Sequence, residues 1–344
     1  MTQIGLSLGL SPREPIERLV RLAREAESAG IGHCWVVDSQ MAMKDAVVAL
    51  AILARETETL HVGPGVTNLI TRHETVVANA MATLADVAPG RIEVGVGAGD
   101  SAVFPIGRTP MSIAECRVGV GRLRRLLRGQ EVEGQAGPLA LSFTPPTTPP
   151  VFFAASQPRM LRLAGEVADG VIIMGPSDPD TVRMQLGFVD EGARSAGRDP
   201  GEIIRDLWVT LSIGAGEGPV VDVKSWASAQ ARWLTTWKTV PESLEQFRPE
   251  MEEATRTYDF NDHPSLAAGH ASTISDDFAR VLAVAGPADE CADRLADLVA
   301  AGPDRLTVTL LSGGRERRLE DIATVWRKVQ DRSQTDAVPG GGDA

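Results

Sequence analysis

The sequence predicts an α/β chain folded as a (β/α)8 TIM barrel, and three observations predict it. Short apolar runs alternate with amphipathic helical stretches through most of the 344 residues. The runs are apolar on both faces, as parallel strands covered by helices must be. The strand–helix pairs number eight, enough to close a barrel, whereas an open doubly wound sheet stops at about five or six strands.

Residues 4–8 read as the first strand, and 12–29 as a helix whose Ile16, Leu19, Val20, Ala23 and Ala26 share a face and which Gly30 ends. Residues 33–38 (HCWVVD) form the second strand, 45–56 the next helix and 60–64 the third strand. A helix over 74–87 aligns Val77, Met81 and Leu84, and 92–97 (IEVGVG) is strand four. The helix over 112–127 turns Ile113, Cys116, Val120, Leu123 and Leu127 inward. Residues 130–150 are turn-rich and read as a loop with a small hairpin. Strand five (151–154), a helix (160–167), strand six (170–174) and a helix (179–195) follow, and 203–213 contains strand seven. A helix over 287–300, with Pro287 near its first position and acidic residues in its first turn, precedes strand eight at 305–310. A last helix covers 319–329, and 333–344 reads as a flexible tail.

One domain over 1–332 accommodates all of this, with an insertion at about 214–286. The insertion carries Trp226, Trp233, Trp237, Phe247, Tyr258, Phe260, His263 and His270, with helices expected over 226–239 and 242–258. Following strand seven, it belongs to the end of the barrel where loops perform chemistry. A substrate lid and a packing or dimerisation element are both compatible with its composition.

Lys and Arg total 34 against 46 acidic residues, a net charge of −12 without a basic block, which argues against a nucleic-acid surface. A small anionic ligand stays open, because N–H groups at helix starts can hold one. Cys34, Cys116 and Cys291 lie far apart in apolar segments and read as reduced and buried. No stretch approaches about 20 uninterrupted apolar residues. The first residues lack the basic start, long apolar core and cleavage site of a secretion signal. A cytoplasmic protein acting on a small organic molecule, without membrane or nucleic-acid partner, is the expectation.

Residues that suggest chemistry cluster just after the strands. Asp38 closes strand two, where a carboxylate either ties down a loop or meets a ligand. Gly63 to Asn68 (GPGVTN) follow strand three; the glycines permit an unusual backbone path, and Thr67 and Asn68 offer hydrogen bonds to ring heteroatoms. Gly95, Gly97 and Gly99 resemble a dinucleotide fingerprint only superficially, since the third glycine is at the wrong offset and no helix starts directly. Near a barrel mouth they make space for a ring, and Asp100 and Ser101 then present a polar end. Ala155, Ser156 and Gln157 lead into a helix whose Pro158 suits the first turn, and Gly175 and Pro176 after strand six have the same form. Each is a capped helix or an anion site, and two adjacent anion sites suit a ligand with a phosphate tail and a flat head. Arg72 and His73 lie just past strand three, as a carboxylate clamp and a helix cap or proton carrier respectively. No metal-ligand cluster, nucleophile elbow or Walker loop appears in the sequence.

Together, WVVDSQ (35–40), GPGVTNLITRH (63–73), GRIEVGVGAGDSA (90–102), FFAASQPRMLRLAGEVADGVIIMG (152–175) and AGPADECADRL (285–295) resemble the bacterial luciferase-like superfamily. The branch they look closest to contains methylenetetrahydromethanopterin reductase and other enzymes that use coenzyme F420, an 8-hydroxy-5-deazaflavin. The resemblance implies Asp38 beside the deazaflavin ring and a non-proline cis peptide at Gly65–Val66 forming a bulge behind it. It further implies Thr67 and Asn68 at the ring, Gly97 and Gly99 admitting the ring or its ribityl chain, and Ala155, Ser156 and Gln157 on the phosphate arm, with Gly175 and Pro176 near. Asp38, Asp100 and His73 are the candidates for catalysis. Two departures count against sugar-phosphate dehydrogenation: relatives with that activity carry histidine where Ser39 stands and glutamate where Asp100 stands. A homodimer through the helices beside strands two and three is expected by the same analogy.

The activity implied is hydride transfer between F420 and an organic substrate, the cofactor supplying the chemistry and the protein orientation and protons. The alternative is an FMN-dependent luciferase-like monooxygenase using reduced flavin and O2, for which the insertion's tryptophans would form a dry cover.

Overall fold

A computed structural model describes residues 2–9, 12–237, 240–257, 272–311 and 314–335. Eight principal strands run β1 (Gln3–Leu8), β2 (His33–Val36), β3 (His61–Pro64), β4 (Val94–Gly97), β5 (Val151–Ala155), β6 (Gly170–Met174), β7 (Ile204–Ile213) and β8 (Arg305–Thr309). They pair in parallel in the order β3-β2-β1-β8-β7-β6-β5-β4, and β4 pairs in turn with a two-residue strand, Thr67–Asn68. That short strand continues β3 past the Gly65–Val66 bond, which is cis. A bridge between Val62 and Ile92 joins β3 to the start of the fourth strand, so the nine-strand path closes on itself almost completely. The expected barrel is therefore the observed fold.

Helices α1 (Ile16–Ser28), α2 (Ala46–Glu56), α3 (Glu74–Val87), α4 (Ile113–Leu127), α5 (Pro158–Val167) and α6 (Pro179–Ser195) each link successive strands. Their ends follow from local chemistry. The Asp45 side chain accepts from the Val48 N–H and starts α2; Ser112 and Glu115 form a reciprocal capping box on α4; Asp178 caps α6 through Thr181. In α1, Leu19, Leu22, Ala23 and Ala26 are buried, the spacing of one helical face against the sheet. The small hairpin expected within 130–150 is present, Val132–Gly134 paired with Gly137–Leu139.

After β7 come α7 (Gly218–Leu234), α8 (Glu242–Glu245), α9 (Arg248–Thr257) and α10 (Asp276–Leu282). Two expected helices are corrected here. That over 226–239 begins at Gly218, with Pro219 in its first turn, and stops at Leu234. That over 242–258 is two helices, because Pro249 has no N–H to return to Glu245. Tyr258, Phe260, His263 and His270 lie outside the described residues. Val220, Val223, Ala227, Leu244, Phe247, Met251 and Phe278 give this segment a core of its own, with Phe247 and Phe278 stacked at 4.6 Å. The chain then adds a three-residue strand, Val284–Gly286, beside the end of β7, too short for its sequence to announce. Helix α11 (Ala288–Ala300) leads to β8, and α12 (Arg315–Thr335) runs into the segment expected to fray.

The barrel interior is filled by Trp35, Phe152, Ile172 and Trp208, from strands on different sides of the ring, with Trp35 and Phe152 edge-to-face at 5.2 Å. Beside them sits a fully buried polar group. Asp206, on β7, accepts from the Trp35 indole N–H and the Thr307 hydroxyl, each at 2.7 Å, and His33 lies 3.5 Å away. Burial alone would push the Asp206 carboxyl up. The neighbouring His33 and the hydrogen bonds from His33, Thr307 and Trp35 outweigh it and hold the carboxyl below its ordinary range.

Candidate active site

The ends of β2, β3, β4 and β5 meet on one rim. Trp35 on β2 and Trp208 on β7 pack against Gly65, which has no side chain to obstruct them. A Cβ on Gly95 would run into the Pro64 carbonyl, and one on Gly97 would come within 2.8 Å of Val66 Cγ2. These glycines let the third and fourth strands close up, and the space beside Gly97 is taken by Val66. Gly99 adopts φ +98°, a conformation open to glycine, and a Cβ there would lie 2.6 Å from Val103 Cγ2.

Asp38 is 6% exposed. Arg72 donates to it from Nε at 3.1 Å and from Nη2 at 3.4 Å, and to Asp45 from Nη2 at 2.6 Å. The clamp expected of Arg72 is thus formed, but the tight bond goes to Asp45. Burial pushes the Asp45 carboxyl up, and Arg72 with the Val48 N–H outweighs it, leaving Asp45 below the ordinary range. The longer bonds to Asp38 leave it acceptor capacity. Beside it, Ser39 donates to Ser101 Oγ at 3.0 Å and Gln40 Nε2 to the Ala102 carbonyl at 2.7 Å, tying the loop after β2 to the loop after β4.

Asn68 turns its Oδ1 to the loop, accepting from the Ile70 and Thr71 N–H groups at 3.1 and 2.9 Å. Thr67 is different. It is 2% exposed, and its hydroxyl has no hydrogen-bond partner among the described residues. Buried hydroxyls are rarely left so, and a ligand atom would satisfy it. Ser156 is half-buried, and Gln157 is the N-cap of α5 without using its side chain, so this helix start keeps N–H groups for an anion.

Two predicted places are less open. The Gly175 carbonyl accepts from the Gln230 amide of α7 at 3.3 Å, and Pro176 is buried. His73 is the N-cap of α3, its Nδ1 accepting from the Thr75 N–H at 3.3 Å, with the ring 58% exposed and beside Glu74. The structure therefore gathers Asp38, Gly65, Val66, Thr67, Asn68, Gly97, Gly99, Asp100 and Ala155 to Gln157, sets Gly175 and Pro176 under α7, and leaves His73 as a cap.

Asp100 meets Arg232 of α7, Oδ2 to Nη2, at 3.4 Å. Burial pushes the Asp100 carboxyl above its ordinary range, against the opposing pull of Arg232. Sequence reasoning passed over Arg232, whose one signal is an isolated charge within a run of small and apolar residues (SAQARWL, 228–234). It also passed over Asp206, which lies within the expected strand seven as a charge before its apolar run.

A parallel barrel whose strand ends hold a carboxylate, an unsatisfied hydroxyl and an open helix start on one rim defines the class. The chain belongs to the luciferase-like monooxygenase family, whose profile matches residues 1–305. It is similar to the 5,10-methylenetetrahydromethanopterin reductase of Methanolobus tindarius, 30% identical over 211 residues, covering 59% of this chain and 63% of that protein. It is also similar to the F420-dependent hydroxymycolic acid dehydrogenase of Mycobacterium tuberculosis, 32% identical over 202 residues, covering 54% of this chain and 56% of that protein. Both matches span less than two thirds of the relative. The solved F420-dependent tetrahydromethanopterin reductase of Methanopyrus kandleri shares the fold, with a TM-score of 0.74 at 23% identity, over 96% of this chain and 99% of that one. Monooxygenases are among the solved structures with this barrel as well.

Proposed function

We propose that this chain is an F420-dependent oxidoreductase that transfers hydride between the deazaflavin and a small organic substrate. The observation that carries the reading is the buried Thr67 hydroxyl without a partner, set on the same rim as Asp38 and the α5 start. Asp38, Gly65, Val66, Thr67, Asn68, Gly97 and Gly99 would hold the ring end, and Ala155, Ser156 and Gln157 the phosphate arm, with Gly175 and Pro176 supporting it from below α7. Bound there, the deazaflavin supplies a hydride-exchanging carbon.

The chain's own residues do the rest. Arg72 keeps Asp38 in place, and Asp100, whose carboxyl is pushed up by burial, gives or takes the proton that accompanies hydride transfer. His73 lies outside this arrangement as a cap, so we assign it no proton transfer. The inserted helix α7 covers the mouth and excludes water.

Titration of the apoprotein with each cofactor tests the reading. F420 is expected to bind with micromolar or tighter affinity and at least about tenfold more tightly than FMN, a difference of about 1.4 kcal/mol. The reverse order would replace the proposal with the flavin monooxygenase reading.

We further propose a cytoplasmic homodimer joined through α2 and α3. Exposed Val48 and Val76 on those helices support the interface, and three free, buried cysteines suit a reducing compartment. No helix among the described residues is long and apolar enough to cross a membrane. Light scattering should give twice the 36.6 kDa chain mass, reduced to one chain by Val48→Asp with Val76→Asp. A single-chain mass for the unaltered protein removes the dimer.

A further inference from the structure

Helix α7 follows β7, and its side chains reach the ends of other strands. Near its start, Asp222 accepts from Ser212 of β7 at 2.9 Å and from Arg318 of α12 at 2.7 Å. Further along, the Gln230 amide reaches the Gly175 carbonyl after β6 at 3.3 Å and the Leu282 carbonyl of α10 at 2.9 Å. Two residues on, Arg232 reaches Asp100 after β4. Strands β5 and β6 stand between β4 and β7 in the sheet, so this contact ties together two loops that the barrel itself keeps apart.

The contact is uneven. Asp100 Oδ2 faces Arg232, while Oδ1 is buried and has no hydrogen-bond partner among the described residues. At 3.4 Å the pair is longer than a well-made charge-assisted hydrogen bond, so it orients the carboxyl without saturating it.

We propose that Arg232 is a positioning residue for Asp100: from the inserted helix it fixes one carboxyl oxygen and leaves the other to exchange a proton with the substrate. This rests on the reading of Asp100 as the proton-exchanging group. The loop after β2 approaches with the uncharged Ser39 and Gln40, bonded to Ser101 and Ala102. Among the described residues the charge acting on the Asp100 carboxyl is Arg232. With that cation removed, burial acts unopposed and the carboxyl keeps its proton to higher pH. The insertion thereby sets the pH at which the site can deliver a proton, which a cover alone would not do.

The test is a carbon-13 carboxyl titration of the whole chain without cofactor, with the Asp100 resonance identified by its loss in Asp100→Asn. In Arg232→Met and Arg232→Gln the Asp100 midpoint is expected to move to higher pH. Arg232→Lys should restore most of the wild-type midpoint. An unmoved midpoint in whichever neutral variant folds overturns the proposal. Parallel F420 titrations separate the two readings: a wild type that ignores F420 sinks the cofactor assignment alone, whereas an unmoved midpoint in a protein that binds F420 sinks the role of Arg232 alone.

Discussion

Asp38→Ala is expected to weaken F420 binding by about 10- to 100-fold while the chain stays folded. The fold survives because Arg72 keeps its shorter bond, to Asp45 at 2.6 Å, when the longer ones to Asp38 are lost. Arg72 then still has a carboxylate partner. What disappears is an acceptor at 6% exposure, directly after β2 and beside the loops that follow β3 and β4. A hydrogen bond to a charged group contributes about 1.5–3 kcal/mol, which converts to the stated range. Asp38→Asn keeps the shape without the charge and should fall between wild type and alanine. Isothermal titration reads the affinity, and circular dichroism reads the fold. An Asp38→Ala protein that binds F420 as well as wild type removes Asp38 from the cofactor site, and one that fails to fold makes it a structural aspartate.

Asp206→Ala should cost about 3–5 kcal/mol of stability, as removal of one partner from a buried charged cluster does. The carboxylate is fully buried and accepts from Trp35 and Thr307. Its loss strands the indole N–H, and Trp35 is the residue that packs behind Gly65. The rim should loosen together with the core. The effect has a pH signature. The folded Asp206 carboxyl lies below its ordinary range, so its contribution is complete above the unfolded value of about 3.9. It fades as pH falls through that value towards the folded one. Urea unfolding should therefore show the wild-type advantage in full at pH 7 and shrinking as pH drops below about 4. A difference under about 1 kcal/mol at pH 7 would mean that Trp35, Thr307 and His33 find other partners.

The sequence alone was enough for the barrel and for the strand ends on which the candidate residues stand. Strands buried on both faces leave continuous apolar runs, and their count decides between a closed and an open sheet; HCWV and GVIIM are wholly apolar or wholly buried for that reason. Side chains directly after such runs must stand at the rim, so Asp38, Thr67 and Gln157 could be placed before any coordinates. The capping pairs Asp45–Val48, Ser112–Glu115 and Asp178–Thr181 span three residues each and are legible for the same local reason.

Tertiary structure decided whatever depends on residues distant in the chain. Asp206 joins Trp35 across 171 positions and Arg232 joins Asp100 across 132, and no periodicity encodes either meeting. Val66, before α3, fills the space beside Gly97, after that helix. Local pattern reports which face of an element is buried. The partner met on that face is fixed only when the ring of strands closes and α7 reaches from β7 to the loop after β4.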